Sequence, residues 1–293
     1  MQSATVATRG GVAAPTWGRA RKIAGRWLDF VPLTIAAIIV VAPVLWTIST
    51  SLRTPADSFS LPPQWLPVRP EWDNYAAVFT TIPYAHYVLN SAMVCVAVVL
   101  GQLFTATLAG YAFGRFRFPG KNVLFLMVMA TLMIPLQATI IPVFVLISKM
   151  HLNNTLWSLI LPSWATAFGT FLMRQYFMGV PNDFEEAATI DGANQLQVFG
   201  RIYLPLAAPG MAILSILTFN DTWNDFYRPL IFLTDQQNYT VPLGIESLFG
   251  YLSSGSISHV LAGVVLSVAI VLVIYLAGQR YLIEGLTMGG VKS

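Results

Sequence analysis

Apolar residues run along this chain in six long stretches that are separated by more polar segments of unequal length. A helix that crosses a membrane needs about 20 mostly apolar residues to span about 30 Å of hydrocarbon. Six stretches meet this requirement: 30–52, 90–113, 123–147, 156–177, 206–233 and 260–279. The pattern predicts an all-α membrane protein with six transmembrane helices. Prolines interrupt several stretches, which a bundle tolerates because neighbouring helices satisfy the freed backbone groups.

Composition agrees with a lipid environment. The 293 residues are 56% hydrophobic and 10% charged, whereas about a quarter of a soluble domain is charged. The first stretch is too long for the core of a signal peptide and is read as a retained helix. Cys95 is the single cysteine, which excludes a disulfide within the chain and a metal site built on several thiols.

The basic residues predict the orientation, because lysine and arginine are enriched on the cytoplasmic side. Twelve fall on one side of the six stretches and four on the other. The side with twelve is assigned to the cytoplasm, and both termini are then cytoplasmic. The twelve are Arg9, Arg19, Arg21, Lys22, Arg26, Arg115, Arg117, Lys121, Arg174, Arg201, Arg280 and Lys292.

These assignments divide the chain into three parts. Residues 1–28 are expected to form a disordered cytoplasmic arm, residues 29–284 the six-helix transmembrane domain, and residues 285–293 a cytoplasmic tail. Within the domain, residues 53–89 form a long external cap that is rich in proline and contains Trp65 and Trp72. Residues 181–205 lie in the one long cytoplasmic connection, which is the natural handle for a cytoplasmic partner.

The 181–205 segment has the pattern of two short helices joined by a turn. Asp183 and Glu186 resemble a capping box that starts the first helix, and Gly192 can end it in the left-handed conformation. A second helix is expected over 195–203, ending before Pro205. Each helix has an apolar face that needs something to bury against. Besides a protein partner, the surface of the chain's own membrane remains an alternative.

The segment also resembles the cytoplasmic signature of bacterial ABC-importer permeases: Glu-Ala-Ala, three residues, Gly, nine residues, Ile-x-Leu-Pro. All seven positions match without a spacing error, as Glu186, Ala187, Ala188, Gly192, Ile202, Leu204 and Pro205. Residues 220–230 (NDTWNDFYRPL), residues 279–292 (QRYLIEGLTMGGVK) and Asn90-Ser91 are similar to the carbohydrate-importing branch of the same binding-protein-dependent, MetI-like family.

The resemblance implies a six-helix permease of the bacterial inner membrane, surrounded by lipid. It implies a second permease subunit, two ATPase subunits or domains that bind ATP and Mg²⁺, and an external solute-binding protein. The 181–205 segment would then be the coupling loop that docks on the ATPase, with Glu186 paired to a basic residue there. Asp191 accompanies Gly192 in the turn. The cap would face the binding protein.

Enzymatic chemistry finds no support in the sequence. A Gly-x-x-x-x-Gly-Lys-Ser/Thr phosphate loop does not occur, so no cofactor is expected in this chain. His86, His151 and His259 show no metal-ligand spacing. The net charge of +3 gives no reason to expect a nucleic-acid partner. Gly110 and Gly114 form a helix-packing pattern.

A polar cluster interrupts the fifth stretch and is the candidate for contact with a solute. A carboxylate in lipid costs at least about 2.5 kcal/mol, so such residues face the bundle or water. Amides, carboxylates and an indole suit a hydroxylated solute. The competing interpretation is a structural ion pair between Asp225 and Arg228 or with another helix. The candidates are Asn220, Asp221, Trp223, Asn224, Asp225 and Arg228.

Two classes of function remain open from the sequence. The first is a permease subunit for a sugar or sugar-like polyol, including a phosphorylated one such as glycerol phosphate, with peptide or polyamine import as the second choice of solute. The other is a membrane-embedded assembly or regulatory subunit that holds an ATPase without lining a conduit.

Overall fold

The computed structural model of this protein describes residues 17–54, 57, 65–67, 69–251 and 256–290, with side chains for 30–54, 57, 65–67, 69–249 and 256–279. Within these residues the fold is all-helical and contains no strand. The fold class is therefore confirmed at the level of an all-α architecture. Residues 55–56, 58–64 and 68 of the predicted external cap lie outside the described part, as do residues 1–16, 252–255 and 291–293.

The first three helices are α1 (Trp17–Ser51), α2 (Asp73–Thr81) and α3 (Tyr84–Arg115). Helix α1 begins inside the segment that was expected to be a disordered arm, and its first residues are good helix formers such as alanine and arginine. Helix α3 begins six residues before the predicted start of its stretch. Pro83 is its N-cap, and a proline readily sits at a helix start because its missing N–H would have no partner there.

The third stretch was predicted to form one continuous helix, but it is divided into two helices. Helix α4 (Lys121–Ala130) runs into a 3₁₀ turn (Thr131–Met133), and α5 (Leu136–Lys149) leaves at an angle of 103°. The break lies at Ile134, which is extended with φ −88° and ψ 115°. The following residue, Pro135, disfavours helical geometry at Ile134 through steric contact with its ring.

The fourth stretch is also divided, into α6 (Trp157–Ser163) and α7 (Ala167–Gly179). Thr166 is extended, and its hydroxyl caps α7 by accepting from the Gly169 amide at 3.5 Å. Helix α3 satisfies carbonyl groups at this break: Gln102 donates to the Ser163 carbonyl at 2.8 Å and Thr105 to the Trp164 carbonyl at 2.5 Å. Side chains of a neighbouring helix thus stabilise an irregular segment at membrane depth.

The remaining helices and turns follow α7, which ends at Gly179. They are α8 (Asp183–Ile190), α9 (Gln195–Val198), a π turn (Phe199–Tyr203), α10 (Leu204–Leu206), α11 (Ala208–Trp223), α12 (Tyr227–Phe232), a 3₁₀ turn (Gln236–Asn238), α13 (Val241–Tyr251) and α14 (Ile257–Gly290). The fifth predicted stretch is therefore split between α11 and α12. Helix α14 continues to Gly290, into the predicted tail.

Three described helices are long and apolar enough to cross a membrane: Phe30–Ser51 of α1, Tyr84–Arg115 and Ile257–Gln279 of α14. Two bent pairs, Lys121–Met133 with Leu136–Lys149 and Gln195–Leu206 with Ala208–Trp223, bring the number to as many as five. The length and composition of these helices establish a multi-span membrane protein.

Helix α3 is the central element of the bundle. Its buried residues contribute to three successive apolar clusters, through Tyr87 and Cys95, then Val94 and Val98, then Ala106 and Tyr111. Near its end it packs closely on α7. A Cβ at Gly110 would lie 2.7 Å from the Cβ of Met173, so the predicted small-residue packing of this helix is confirmed.

Candidate functional site

The 181–205 segment is called the hairpin below. Its first helix is α8, which begins at Asp183. Asn182 is the N-cap and makes no side-chain capping bond, so the predicted Asp183–Glu186 capping box is wrong. Asp183, Glu185 and Glu186 all lie in the first turn, where negative charge is favoured by the helix dipole. The charge pattern rather than a reciprocal cap therefore marks the start of the helix.

Gly192 ends α8 as predicted, with φ +82°. Its amide donates to the Thr189 carbonyl at 3.0 Å, and the Ala193 amide donates to the Ala188 carbonyl at 2.9 Å. This pair of bonds is a Schellman motif, which requires a left-handed residue at the glycine position. Asn194 and Gln197 then form a reciprocal capping box that starts α9.

The second half of the hairpin continues further than predicted. After α9 the chain forms a π turn over Phe199–Tyr203 and a helical turn over Leu204–Leu206 that includes Pro205. Pro205 lies in the first turn of that segment, where a proline needs no N–H partner. The direction changes by 69° before α11, so the stop lies after Pro205 and not before it.

The signature residues divide between two faces of the hairpin. Glu186, Ala187, Asp191, Gly192 and Pro205 are exposed. Ala188, Ile202 and Leu204 are partly buried against the apolar cluster that also contains Phe177 and Tyr203. The motif therefore has an inward face that seats the hairpin and an outward face that is free for a partner.

Large apolar side chains also point outward from the hairpin. The exposed fractions are 51% for Phe184, 85% for Ile190 and 76% for Leu196. All three lie in the two short helices or at their ends. Such grouped apolar exposure on a charged segment is typical of an interaction surface.

A polar contact fixes the inward side of α8. The Tyr203 hydroxyl donates to the Glu185 carboxylate at 2.6 Å, and the Arg115 guanidinium lies 4.7 Å from the centre of the Tyr203 ring. Arg115 also donates to the Asn182 side chain at 2.6 Å and to the Val180 carbonyl.

An open groove of about 730 Å³ separates α8 from the end of α3 and the loop that follows it. Arg115, Arg117 and Lys121 line one side, and Asn182, Glu185, Glu186, Thr189 and Ile190 line the other. Opposite charges therefore face each other across the groove, which favours the seated position of α8.

The polar break of the fifth stretch (residues 220–228) is not part of one continuous helix. Helix α11 ends at Trp223 and α12 starts at Tyr227, so the polar residues fall on two short helices and the turn between them. Trp223 is 1% exposed, and its indole N–H donates to the Ser267 hydroxyl of α14 at 3.0 Å. Its indole is thus enclosed by the bundle in this conformation.

Asp225 and Arg228 form an ion pair across the break, with 2.5 Å between Nε and Oδ2. Asp225 Oδ1 also accepts from the Arg228 amide at 3.2 Å, and the Arg228 guanidinium donates to the Ser163 hydroxyl at the end of α6. The pair therefore ties α12 to α6. This geometry favours the structural interpretation of the pair over direct contact with a solute.

Asn220, Asp221 and Asn224 are exposed at the end of α11. Asn224 donates to the Asn220 carbonyl at 2.8 Å and to its side-chain oxygen at 3.2 Å. The three side chains form a small polar surface of amides and one carboxylate next to the break. They are the predicted pathway residues that remain accessible.

Comparison with known proteins adds the decisive observation. Residues 106–283 match the family described as binding-protein-dependent transport system inner membrane component. The matched segment is more than half of the chain and contains both the hairpin and the polar break. The chain belongs to this family. It is the permease component of an ABC importer, a multi-pass protein of the bacterial inner membrane whose ATPase is a separate subunit.

Relatives of this permease align over nearly its whole length. It is 33% identical to the arabinooligosaccharides transport system permease protein AraQ of Halalkalibacterium halodurans, over 91% of this chain and 96% of that protein. It is 30% identical to the sn-glycerol-3-phosphate transport system permease protein UgpE of Yersinia pestis, over 87% of this chain and 93% of that protein.

A solved structure supports the fold of the permease. A chain of a bacterial ABC transporter involved in the import of the acidic polysaccharide alginate superposes with a TM-score of 0.76 and 26% identity. The superposition covers 92% of this chain and 99% of that one. The overall fold of this permease is therefore shared with a chain of a solved ABC transporter.

Three residues of the permease's hairpin contact were missed from the sequence: Glu185, Tyr203 and Arg115. A signal was available for the first of them, because Glu185 lies three positions before Ala188 and residues at that spacing share a helix face. Since Ala188 belongs to the apolar face, Glu185 had to point inward. Tyr203 and Arg115 are far apart in sequence, and their contact depends on the packing of α3 against the hairpin.

Proposed function

We propose that this permease forms half of the translocation pathway for a sugar or sugar-like polyol. It would span the membrane six times, with both termini and the hairpin in the cytoplasm. A second permease subunit would complete the pathway, two ATPase subunits or domains would bind ATP and Mg²⁺, and an external solute-binding protein would deliver the solute to the cap.

The exposed face of the hairpin carries this proposal. Glu186 and the apolar side chains of Phe184, Ile190 and Leu196 are exposed, Glu186 and Ile190 at the edge of the open groove, while the opposite face is seated on the core. A short helix that is fixed on one side and apolar on the other is suited to dock in a groove of a partner. The separate ATPase of the importer is the partner that such a docking surface serves.

The solute class rests on two independent indications. The relatives named above carry arabinooligosaccharides or sn-glycerol-3-phosphate in their names, and the structural neighbour is involved in alginate import. All of these solutes are rich in hydroxyl groups. In this chain, the exposed Asn220, Asp221 and Asn224 offer amide and carboxylate groups that can exchange hydrogen bonds with hydroxyls.

Substitution of Glu186 by alanine tests the coupling role. If Glu186 pairs with a basic residue of the ATPase, its loss leaves that charge without a partner and costs about 2–5 kcal/mol of docking free energy. We expect the ATPase to co-purify poorly with the Glu186→Ala complex, or hydrolysis to lose its dependence on solute. Asp183→Asn is the matched control, because Asp183 is an exposed acid one turn earlier.

Retention of the ATPase together with full solute-stimulated transport in the Glu186→Ala complex would show that the hairpin does not couple hydrolysis to transport. The solute class needs a second measurement, the stimulation of ATP hydrolysis in proteoliposomes that contain the complex and its binding protein. We expect a response to oligosaccharides or to sn-glycerol 3-phosphate. A response to peptides or polyamines alone would contradict the solute assignment.

A further inference from the structure

Helix α8 makes little apolar contact with the protein: Ala188 packs against the apolar cluster, and polar contacts fix the rest of the helix. None of its residues, all of which the structure describes, is buried. The contacts that fix it are the Asn182 side chain and Val180 carbonyl at its start, and Glu185 one turn further on. Its outward face is exposed, so a force applied there reaches the bundle through these contacts, the Ala188 packing and the chain connections at both ends of the helix.

All of these contacts lead to one residue, Arg115, at the end of α3. Arg115 binds Asn182 and Val180 directly. It reaches Glu185 through Tyr203, whose ring lies against the guanidinium and whose hydroxyl donates to the carboxylate at 2.6 Å. Tyr203 is fully buried, whereas Arg115 and Glu185 are partly exposed along the groove, so the tyrosine shields one side of each interaction from water.

Helix α3 is the element through which a movement of α8 could spread. It contributes to all three apolar clusters of the bundle, and close packing transmits displacement with little loss. Its Gln102 and Thr105 side chains hold the break between α6 and α7, and Gln102 also accepts from Thr218 of α11 at 2.7 Å. A shift of α3 therefore reaches the helices that carry the polar break.

We propose that Arg115, Tyr203 and Glu185 form a positioning unit that makes α8 and the end of α3 move together when the ATPase moves the hairpin. This inference rests on the proposed coupling function and assigns the transmitting residues within this chain. Glu186 is exposed and is the residue proposed to contact the partner, whereas Glu185, its neighbour, joins α8 to the bundle through Tyr203.

Two cysteines placed on opposite walls of the groove would report this movement. Arg117 and Thr189 both line the groove and are exposed, and nitroxide labels at these positions give the distance between the α3 end and α8. The complex with its ATPase would be measured without nucleotide and after trapping with ATP and vanadate, in a background where Cys95 is replaced by alanine. No solute is added, so its identity need not be known.

Tyr203→Phe is the decisive variant, because it removes the hydroxyl and keeps the ring in the core. Loss of a hydrogen bond to a charged acceptor shifts a local equilibrium by about tenfold or more. We expect one narrow distance in both states of the parent, and a distance that shifts between states in Tyr203→Phe and Glu185→Ala. Glu185→Gln, which keeps an acceptor oxygen, should restore most of the parent behaviour.

Tyr111→Phe is the matched control. Tyr111 belongs to the same aromatic cluster, but its hydroxyl donates to Gln195 of α9 at 3.1 Å and not to α8. Its distances should stay as in the parent. Combining Tyr203→Phe with Glu185→Ala should have no greater effect than either change alone, because both remove the same contact.

The inference is overturned if Tyr203→Phe keeps the narrow distance in both states, or if Tyr111→Phe shifts it equally. These outcomes are separate from failure of the proposed function. If Glu186→Ala detaches the ATPase while the Tyr203→Phe distances stay unchanged, the inference alone is wrong. If Glu186→Ala retains the ATPase and full stimulated transport, the proposed coupling function is wrong and the positioning role is lost with it.

Discussion

Asp225 and Arg228 are three residues apart in sequence, and the side chains of this ion pair are largely shielded from solvent. Their exposed fractions are 15% and 18%, respectively. Since Arg228 also binds Ser163, the pair closes the break between α11 and α12 and fastens it to α6. The charge of Asp225 therefore has a structural role, and a solute would have to displace Arg228 in order to bind Asp225.

Asp225→Asn keeps the shape of the side chain and removes its charge. Arg228 would then lack a charged partner in a partly buried site, and we expect a loss of about 1–3 kcal/mol of stability. A lower melting temperature of the purified complex would report this loss. The double change Asp225→Asn with Arg228→Gln should recover most of it, because no unpaired charge remains.

Asp221→Asn is the control for this prediction, because Asp221 is exposed on the surface that we assign to the solute. It should leave the melting temperature unchanged and lower uptake instead. Normal stability of Asp225→Asn combined with a loss of uptake would reverse the assignment and place Asp225 on the pathway.

The neighbouring residues Glu185 and Glu186 show what the sequence could and could not predict at this scale. The fixed spacing of the signature identified Glu186 and Gly192, because this spacing is a local property of the sequence. The separate roles of Glu185 and Glu186 depend on which side of α8 meets the core, and the position of Trp223 depends on its contact with Ser267 of α14. Such long-range contacts leave no local pattern.

Among the helices and turns, the link between α8 and α9 is the sharpest case of a backbone requirement. Gly192 has φ +82°, and a Cβ there would meet nothing within 4 Å. A substitution therefore meets no steric clash with other residues, and its cost comes from the backbone conformation alone. For a non-glycine residue in this region that cost is about 1–3 kcal/mol.

We expect Gly192→Val to misplace α8 and weaken ATPase retention, measured by co-purification. Gly192→Asn should be milder, because asparagine tolerates the left-handed conformation. Gly200→Ala is the matched control: Gly200 also has open space around its Cα, and no left-handed φ is found there. Equal retention for Gly192→Val and Gly200→Ala would contradict a role for the Schellman turn.

The broken helices show what hydropathy can and cannot predict. Apolar content located the third, fourth and fifth stretches, but it did not distinguish a straight span from one bent by 103°. The relevant prolines were visible in the sequence. Where a helix breaks also depends on neighbours that satisfy the carbonyls at the break, as Gln102 and Thr105 of α3 do for Ser163 and Trp164.

At the scale of the whole molecule, the single chain leaves large apolar surfaces uncovered. None of the residues in the apolar window of Phe30–Ser51 is buried within the chain, and 11% are buried in that of Ile257–Gln279. In a soluble protein such surfaces would aggregate. Lipid and a second permease subunit are the surroundings that our proposal supplies for them, which agrees with an importer assembled from several subunits.

The orientation of the molecule decides whether the hairpin can meet the ATPase, and it rests on the distribution of basic residues. Thr81 precedes α3 and Arg201 lies in the hairpin, and both are exposed. In a Cys95→Ser background, a membrane-impermeant maleimide applied to intact cells should label a cysteine at Thr81 and leave one at Arg201 unlabelled. Both should react once the membrane is permeabilised, which controls for local accessibility.

The protein that keeps its native Cys95 provides a second control. Cys95 is fully buried and should stay unlabelled in the folded protein from either side. Labelling at Arg201 but not at Thr81 in intact cells would place the hairpin outside. The ATPase hydrolyses ATP in the cytoplasm, so a hairpin on the other side could not transmit its motion. That result would leave α3 as the centre of the bundle but would separate the Arg115–Tyr203–Glu185 contact from any role in coupling.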